Sequence, residues 1–158
     1  MERLLDGLTF LAALGSGLMA GLFFAFSAFI MTAFGRLTAA GGIAAMTAIN
    51  VASLNPLFFA VFFGTAAVSV VLAIAALTGW FAPGAMWLLV GCLLYLVGNI
   101  VVTMIFNVPL NNALAAADPV STAGATLWTR YLSVWTAWNH VRTVACLAAT
   151  ACFTMALR

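Results

Sequence analysis

Charge is the scarcest property of this sequence. Only 5% of its 158 residues are charged, and these are five arginines and three acids, without a single lysine. A soluble domain carries about a quarter charged residues, so these few side chains cannot cover a water-facing surface. Hydrophobic residues make up 66% of the chain. The composition therefore predicts a multi-pass integral membrane protein whose first partner is the lipid bilayer.

Several kinds of functional site are also excluded by what the sequence lacks. The net charge of +2 comes without an arginine-rich tract, which argues against a nucleic-acid partner. The three cysteines stand singly in apolar stretches, so neither a disulfide framework nor a zinc site is indicated. With one histidine and few acids, the chain cannot supply the three or four ligands of a usual metal site. No phosphate-binding, dinucleotide-binding or nucleophile-elbow motif is present, and we expect neither a metal nor another cofactor.

The sequence instead contains long apolar segments. A helix needs about 20 mostly apolar residues to cross a bilayer, and four segments reach that length. They predict an all-α, four-helix transmembrane bundle that forms a single domain over residues 1–158. The first run is far longer than the apolar part of a secretory signal, about 7–15 residues, so we expect it to be retained. The expected spans are approximately 8–34, 57–78, 85–106 and 132–157.

The connection between the first two spans contains helix-breaking residues. Gly41-Gly42 predicts a break after Arg36, and the Ala-rich segment from about Gly42 to Leu54 predicts a short surface helix. Asn55-Pro56 then predicts a new helix start, because proline suits the first helical turn.

Proline and glycine also mark the later connections. Gly79 and the turn at 82–84 are expected to close the second span. Pro109 is expected to end or kink the third, because proline lacks an N–H and clashes with the preceding turn. A polar loop is expected over 111–125. The fourth helix, from about Thr122 to Leu157, is too long for one crossing and is expected to extend beyond the membrane.

Small residues recur every four positions in the first span, at Ala13, Gly17, Gly21 and Ala25. This pattern lets membrane helices approach closely. Two interpretations stay open: packing inside one bundle, and a homo-oligomer that forms through the Gly17/Gly21 face.

The informative residues in so apolar a chain are the polar ones at membrane depth. On the fourth helix, seven side chains share an arc of roughly 100° at about 3.6 residues per turn. Arg142 is the most demanding of them, since a guanidinium has five N–H donors and Asp118 is the only acid expected on its side. Arg142 either snorkels or caps the Asn107 loop, or it binds an oxyanion or phenolate. The seven are Trp128, Tyr131, Trp135, Trp138, Asn139, Arg142 and Cys146.

A second polar row follows the third helix at a spacing of four residues. Antiparallel packing brings its Asn107 end toward the Trp128–Arg142 half of the fourth helix, and Asn50 arrives on the same side. Hydrogen bonding between helices explains such a row equally well. His140 lies off the Arg142 arc, either as a packed histidine or as a general base near neutral pH. The predicted substrate-binding residues are Asn50, Asn99, Thr103, Asn107, Asn111, Trp128, Trp135 and Trp138.

Four short motifs together resemble the anthrone oxygenase-like family of small four-helix membrane proteins. Two lie in the third and fourth helices, and two lie earlier in the chain. The named fungal members of that family oxidise an anthrone to an anthraquinone with O2 and no evident cofactor. An anthrone that loses a proton becomes an electron-rich anion that can reduce O2 directly. The motifs are Gly21-Leu22-Phe23-Phe24-Ala25-Phe26-Ser27, Ala48-Ile49-Asn50 with Asn55-Pro56, Asn107-Val108-Pro109-Leu110-Asn111, and Trp135-Thr136-Ala137-Trp138-Asn139-His140-Val141-Arg142.

The resemblance implies a role for each polar residue toward a lipophilic aromatic substrate. Arg142, Asn139 and Asn107 would hold the oxyanion, and His140 or Tyr131 would accept the proton. The walls would be Trp128, Tyr131, Trp135 and Trp138. The alternative is a non-catalytic membrane protein that binds a quinone, a lipid or a partner helix along the Arg142 arc. A purely structural bundle, with Arg142 tied to Asp118 or to carbonyl groups, is the third hypothesis.

Overall fold

The computed structural model describes residues 2–79 and 84–158. Five helices and no strand occupy these ranges, and we number them in chain order. Residues 82 and 83 of the predicted turn lie outside the described residues. The helices are α1 (residues 2–34), α2 (Ala39–Ala52), α3 (Pro56–Leu77), α4 (Ala85–Ala115) and α5 (Thr122–Ala156).

Local capping explains where three of these helices begin or end. The side chain of Asn55 accepts a hydrogen bond from the Phe58 N–H at 3.0 Å, with Pro56 in the first turn of α3. The hydroxyl of Ser121 does the same for the Gly124 N–H at 3.0 Å at the start of α5. Gly79, with φ of +78°, follows the end of α3 in the left-handed region that suits glycine. The predicted boundaries at these residues are confirmed.

The prediction that Gly41-Gly42 breaks the chain is wrong. The break comes earlier, and Thr38 caps α2 by accepting a hydrogen bond from the Gly41 N–H at 3.2 Å. Gly42 lies inside α2 directly against the indole of Trp128, where a Cβ atom would collide with the ring. The glycine at position 42 therefore allows α2 to approach α5 closely.

Pro109 does not end the third long helix either. Two π-helical segments, Leu96–Val101 and Thr103–Asn107, precede it, and the Val108 N–H bonds to the carbonyl of Thr103, five residues earlier. The wider π turn accommodates a proline, whose ring crowds the carbonyl four residues earlier in an α-helix. Because α4 continues to Ala115, the connection to α5 is shorter than the predicted loop at 111–125.

The four long helices form the predicted all-α bundle. Helix α1 packs against α3 and α5, and α4 packs against the same two neighbours. The short helix α2 covers one end, against α5 and the last turns of α4. Both the short helix between the first two long ones and the long last helix agree with the predicted fold class.

Two apolar clusters share the interior of the bundle. The larger one, which includes Leu5, Leu72 and Phe153, fills the half that contains the chain termini. The smaller one, which includes Met46, Leu114 and Trp135, lies beneath α2. Along the helices, a layer of buried polar side chains falls between the two clusters. Its members are Asn99, Asn107, Asn139, Arg142 and Thr143.

The outer surface is covered with exposed large apolar side chains. By length and composition, three helices are suited to crossing a membrane: Arg3–Phe34, Pro56–Leu77 and Ala85–Ala115. Helix α5, at 35 residues, is long enough, but Asn139, His140 and Arg142 make it more polar than the other three. The fourth crossing over 132–157 therefore stays a prediction.

The small residues of α1 divide between two environments. A Cβ atom added at Gly17 would lie 3.8 Å from the Thr150 side chain of α5, whereas one added at Gly21 would have no atom within 4 Å. Gly17 thus packs inside the bundle. The homo-oligomer through the Gly17/Gly21 face stays a prediction.

We expect Gly42→Ala to destabilise the protein by about 1–3 kcal/mol, because the added methyl group forces the buried Trp128 ring to move. Thermal unfolding of the purified protein in detergent measures the change. Gly64→Ala is the matched control, since nothing lies within 4 Å of a Cβ at that position; it should leave stability unchanged or raise it by up to about 1 kcal/mol. Equal melting temperatures for the two variants would contradict the packing described for Gly42.

Candidate functional site

Arg142 is a buried cation with neutral neighbours. Its side chain is 5% exposed. One terminal nitrogen, Nη1, donates to the hydroxyl of Thr103 at 3.2 Å, and the other, Nη2, donates to Oδ1 of Asn139 at 2.7 Å. The Nε atom is buried without a partner among the described residues. Since a guanidinium carries five N–H groups, these two acceptors leave most of its donors free.

Aromatic rings provide the rest of the surroundings of this cation. The guanidinium carbon lies 4.2 Å from the centre of the Phe23 ring and 5.1 Å from that of Trp135. A cation over an aromatic face gains roughly 0.5–2 kcal/mol, more when water is excluded. The rings stabilise the charge but accept no conventional hydrogen bond from it.

Asp118 does not neutralise Arg142. Its side chain is exposed, and Oδ1 accepts a hydrogen bond from the Val120 N–H at 3.1 Å in the turn before α5. Among the described side chains no carboxylate forms an ion pair with Arg142. The hypothesis that ties Arg142 to Asp118 is therefore wrong, and the partners it does have are the side chains of Thr103 and Asn139.

Asn139 is oriented by two acceptors on α1. Its Nδ2 donates to the carbonyl oxygen of Phe23 at 2.7 Å and to the hydroxyl of Ser27 at 2.8 Å. Ser27 lies within the π-helical segment of α1, Phe26–Ile30. With both donors directed at α1, the Oδ1 atom of Asn139 faces Arg142.

Asn111 is oriented by two aromatic donors of α5. Its Oδ1 accepts hydrogen bonds from the hydroxyl of Tyr131 at 2.7 Å and from the indole Nε1 of Trp135 at 2.8 Å. An indole N–H can only donate, so the amide oxygen must face the ring. The Nδ2 group points away from both aromatic residues.

A cavity of about 460 Å³ reaches this arrangement from the outside. That volume falls within the range of small-molecule sites, about 300–1,000 Å³. Its deep end includes Arg142, Thr103 and Trp135, and Asn50 and Asn111 also line it. Its mouth lies on the outer face of the bundle, where exposed apolar side chains surround it: Leu22, Val51, Leu54, Phe59, Phe63 and Met104.

The predicted site residues fall into three groups. Five of them line the cavity: Asn50, Thr103, Asn111, Trp135 and Arg142. Four others support it from behind. Tyr131 donates to the Asn111 amide, and Asn139 accepts from Arg142. Asn107 donates to the carbonyl of Trp135 at 3.2 Å, and Trp128 stacks beside Tyr131.

Three predicted site residues lie elsewhere. His140 is exposed and lines only a shallow apolar depression on the outside of α4 and α5. Trp138 stacks on Phe106 with ring centres 3.6 Å apart. Asn99 is fully buried, and neither of its side-chain polar atoms has a partner among the described residues. The structure does not bring these three side chains to the cavity.

Sequence reasoning missed most of the cavity wall. Phenylalanine side chains form much of this wall. In α3 they recur one and four residues apart, and this spacing could have indicated a shared face. Ser27 was also missed as the partner of Asn139; it is the only hydroxyl residue of its motif in α1. The phenylalanines are Phe23, Phe26, Phe58, Phe59, Phe62 and Phe63.

The cavity has little potential for metal binding through side chains. Within residues 2–79 and 84–158, no group of three or more His, Cys, Asp or Glu residues is placed to hold a metal ion. The cavity does offer a positive charge, amide and hydroxyl groups and aromatic walls. Together these groups suit a flat aromatic anion.

Comparison with known proteins gives one match. The family model described as anthrone oxygenase matches residues 56–152, which include nearly all of α3, α4 and α5. The suspected resemblance is therefore confirmed, although two of its motifs, at 21–27 and 48–50, precede the matched range. No curated protein and no solved structure matches the chain.

We expect Arg142→Met to leave the free energy of unfolding unchanged or to raise it by up to about 2 kcal/mol. Replacing buried ions with apolar side chains of similar volume is often neutral or stabilising, and here the charge has no carboxylate partner to lose. Thermal unfolding in detergent provides the measurement, with Arg130→Met as the control at an exposed arginine of the same helix. A clear loss of stability confined to the Arg142 variant would favour the purely structural hypothesis.

Proposed function

This chain belongs to the anthrone oxygenase family, and from that membership and the Arg142 cavity we propose that it is a membrane monooxygenase. Its substrate is an anthrone-like polycyclic phenol or a similar lipophilic aromatic molecule, and its oxidant is O2. The protein crosses the bilayer several times and takes its substrate from the lipid. The apolar rim of the cavity supports this route, since it consists of exposed apolar side chains on the outer face of the bundle.

The observation that carries the proposal is the uncompensated charge of Arg142 at the deep end of an aromatic cavity. An anthrone that loses a proton from the methylene carbon opposite its carbonyl becomes an enolate, with negative charge spread over oxygen and ring. Preorganised donors directed at such an oxygen are often the largest contribution to catalysis in a water-poor site. The free N–H groups of Arg142 supply these donors, and the rings of Phe23 and Trp135 provide flat walls.

The oxygen chemistry proceeds from that anion. The electron-rich ring carbon opposite the enolate oxygen reduces O2 and forms a carbon–oxygen bond to it. Loss of water from the resulting hydroperoxide leaves a second carbonyl, so one anthrone and one O2 give one anthraquinone and one water. In this scheme the side chains bind, orient and stabilise the anion.

No side chain among the described residues that line the cavity can act as the base that removes the substrate's proton. Arg142 is the only ionisable group among the described residues that line the cavity. The hydroxyl of Tyr131 already donates to Asn111, and His140 lies on the outside of the bundle. We therefore propose that Arg142 makes the substrate more acidic by stabilising its anion, and that water inside the cavity accepts the proton.

A binding protein without turnover is the second hypothesis. The open apolar rim favours it, because a quinone or a lipid with an anionic group would occupy the same cavity. It predicts that ligands bind near Arg142 without any consumption of O2.

Purified protein in detergent should accelerate O2 uptake in the presence of an anthrone above the spontaneous rate. We expect Arg142→Met to lower the enzymatic rate by roughly 100- to 1,000-fold, the usual effect of removing one oxyanion donor. Arg130→Met should keep the wild-type rate, because that side chain is exposed and outside the cavity. An uptake equal to the spontaneous rate, or equal rates for both arginine variants, would exclude the oxygenase.

His140→Ala tests the base that the sequence suggested. We expect its O2-uptake rate to stay within roughly twofold of the wild type, because His140 is exposed and does not line the cavity and surface substitutions of this kind usually change stability little. A loss of more than about tenfold with normal thermal unfolding would restore His140 as a participant and contradict the site described above.

A further inference from the structure

The orientation of Asn111 leaves one donor directed away from its protein partners. Its oxygen is engaged twice, by Tyr131 and by Trp135, and reversing the amide would place an NH2 group against the indole N–H. Its Nδ2 group has no hydrogen-bond partner among the described residues. Asn111 lines the cavity, so this free donor is available to a ligand.

Asn111 and Arg142 both contact the indole ring of Trp135. The guanidinium lies over the face of Trp135, with its carbon 5.1 Å from the ring centre, while Asn111 accepts from the ring's Nε1 at 2.8 Å. Arg142 therefore contacts the face of the Trp135 ring, and Asn111 contacts its edge. Both residues line the same cavity. A flat ligand beside this indole therefore meets a charged donor and a separate neutral donor.

From this geometry we infer that Asn111 is a specificity-determining residue whose Nδ2 binds a second oxygen of the ligand, while Arg142 binds the first. The inference rests on the proposed function and extends it. The oxidation places a new oxygen across the ring from the enolate oxygen, and Asn111 receives that oxygen. Tyr131 and Trp135 act as positioning residues, because they hold the amide with its donor facing the ligand.

Two probes separate the two donors. Anthrone carries one oxygen, and anthraquinone carries a second oxygen on the opposite side of the central ring. Their affinities are measured with the whole protein in detergent, without O2, by quenching of tryptophan fluorescence, with protein-free micelles as the blank. We expect Asn111→Leu to lower the ratio of anthraquinone affinity to anthrone affinity by roughly three- to tenfold, the contribution of one neutral hydrogen bond.

Asn111→Asp provides a second test that does not depend on the folding of Asn111→Leu. The carboxylate still offers an oxygen to Tyr131 and Trp135 but presents a second oxygen where Nδ2 stood. The affinity ratio should fall at least as far as in Asn111→Leu. Asn112→Leu, at the exposed asparagine next in the chain, is the matched control and should leave the ratio unchanged.

The outcomes distinguish this inference from the proposed function. An unchanged ratio in both Asn111 variants, with O2 uptake still present in the wild type, overturns the role of Asn111 and leaves the oxygenase intact. The same holds if both affinities fall equally. A shifted ratio without any O2 uptake supports the subsite and rejects the oxygenase. If the wild type binds neither probe, the inference fails.

Discussion

The burial of the Arg142 charge without a carboxylate shapes the architecture around it. Moving an ionised group out of water costs several kcal/mol even after relaxation, and an ion pair is the usual compensation. Here two neutral oxygens and two aromatic faces replace the ion pair. Each of these groups must be placed accurately, because none of them alone offsets the cost. The structure therefore has to hold Thr103, Asn139, Phe23 and Trp135 at fixed positions.

The π-helical segments contribute to that placement. One, in α1, includes Ser27, whose hydroxyl accepts from Asn139 and helps to direct the other end of that amide at Arg142. Another, in α4, begins at Thr103, which accepts from the guanidinium. Such wide turns are less regular than the α-helix and frequently occur at functional sites. The two π-helical segments lie on either side of Arg142, so both irregular stretches of backbone border the polar site.

The sequence predicts the coarse architecture better than the site. Hydropathy and capping residues such as Asn55 and Ser121 are local signals, so the long helices and their starts were predicted well. The Arg142 arc and the polar row of α4 were also visible, because a helical period places Thr103 and Arg142 on inward faces. Gly42 and Pro109 were misread for a common reason. Their roles depend on a distant indole and on a π turn, and neither leaves a local pattern. Likewise, the direction of the Asn111 amide depends on donors 20 and 24 residues away.

Asn139 and Arg142 are neighbours in the polar layer, but only Arg142 borders the open cavity. Asn139 has partners for both its nitrogen and its oxygen, and it lies behind the cavity. Arg142 keeps a buried Nε without a partner and borders the cavity directly. A protein that needed this arginine only for packing would gain by closing the space with a larger side chain from α2 or α3. Instead, the space is lined by rings and open toward the apolar face of the bundle. A ligand with a negative charge and an aromatic surface would bring acceptors to Arg142 and fill the space between the rings around it.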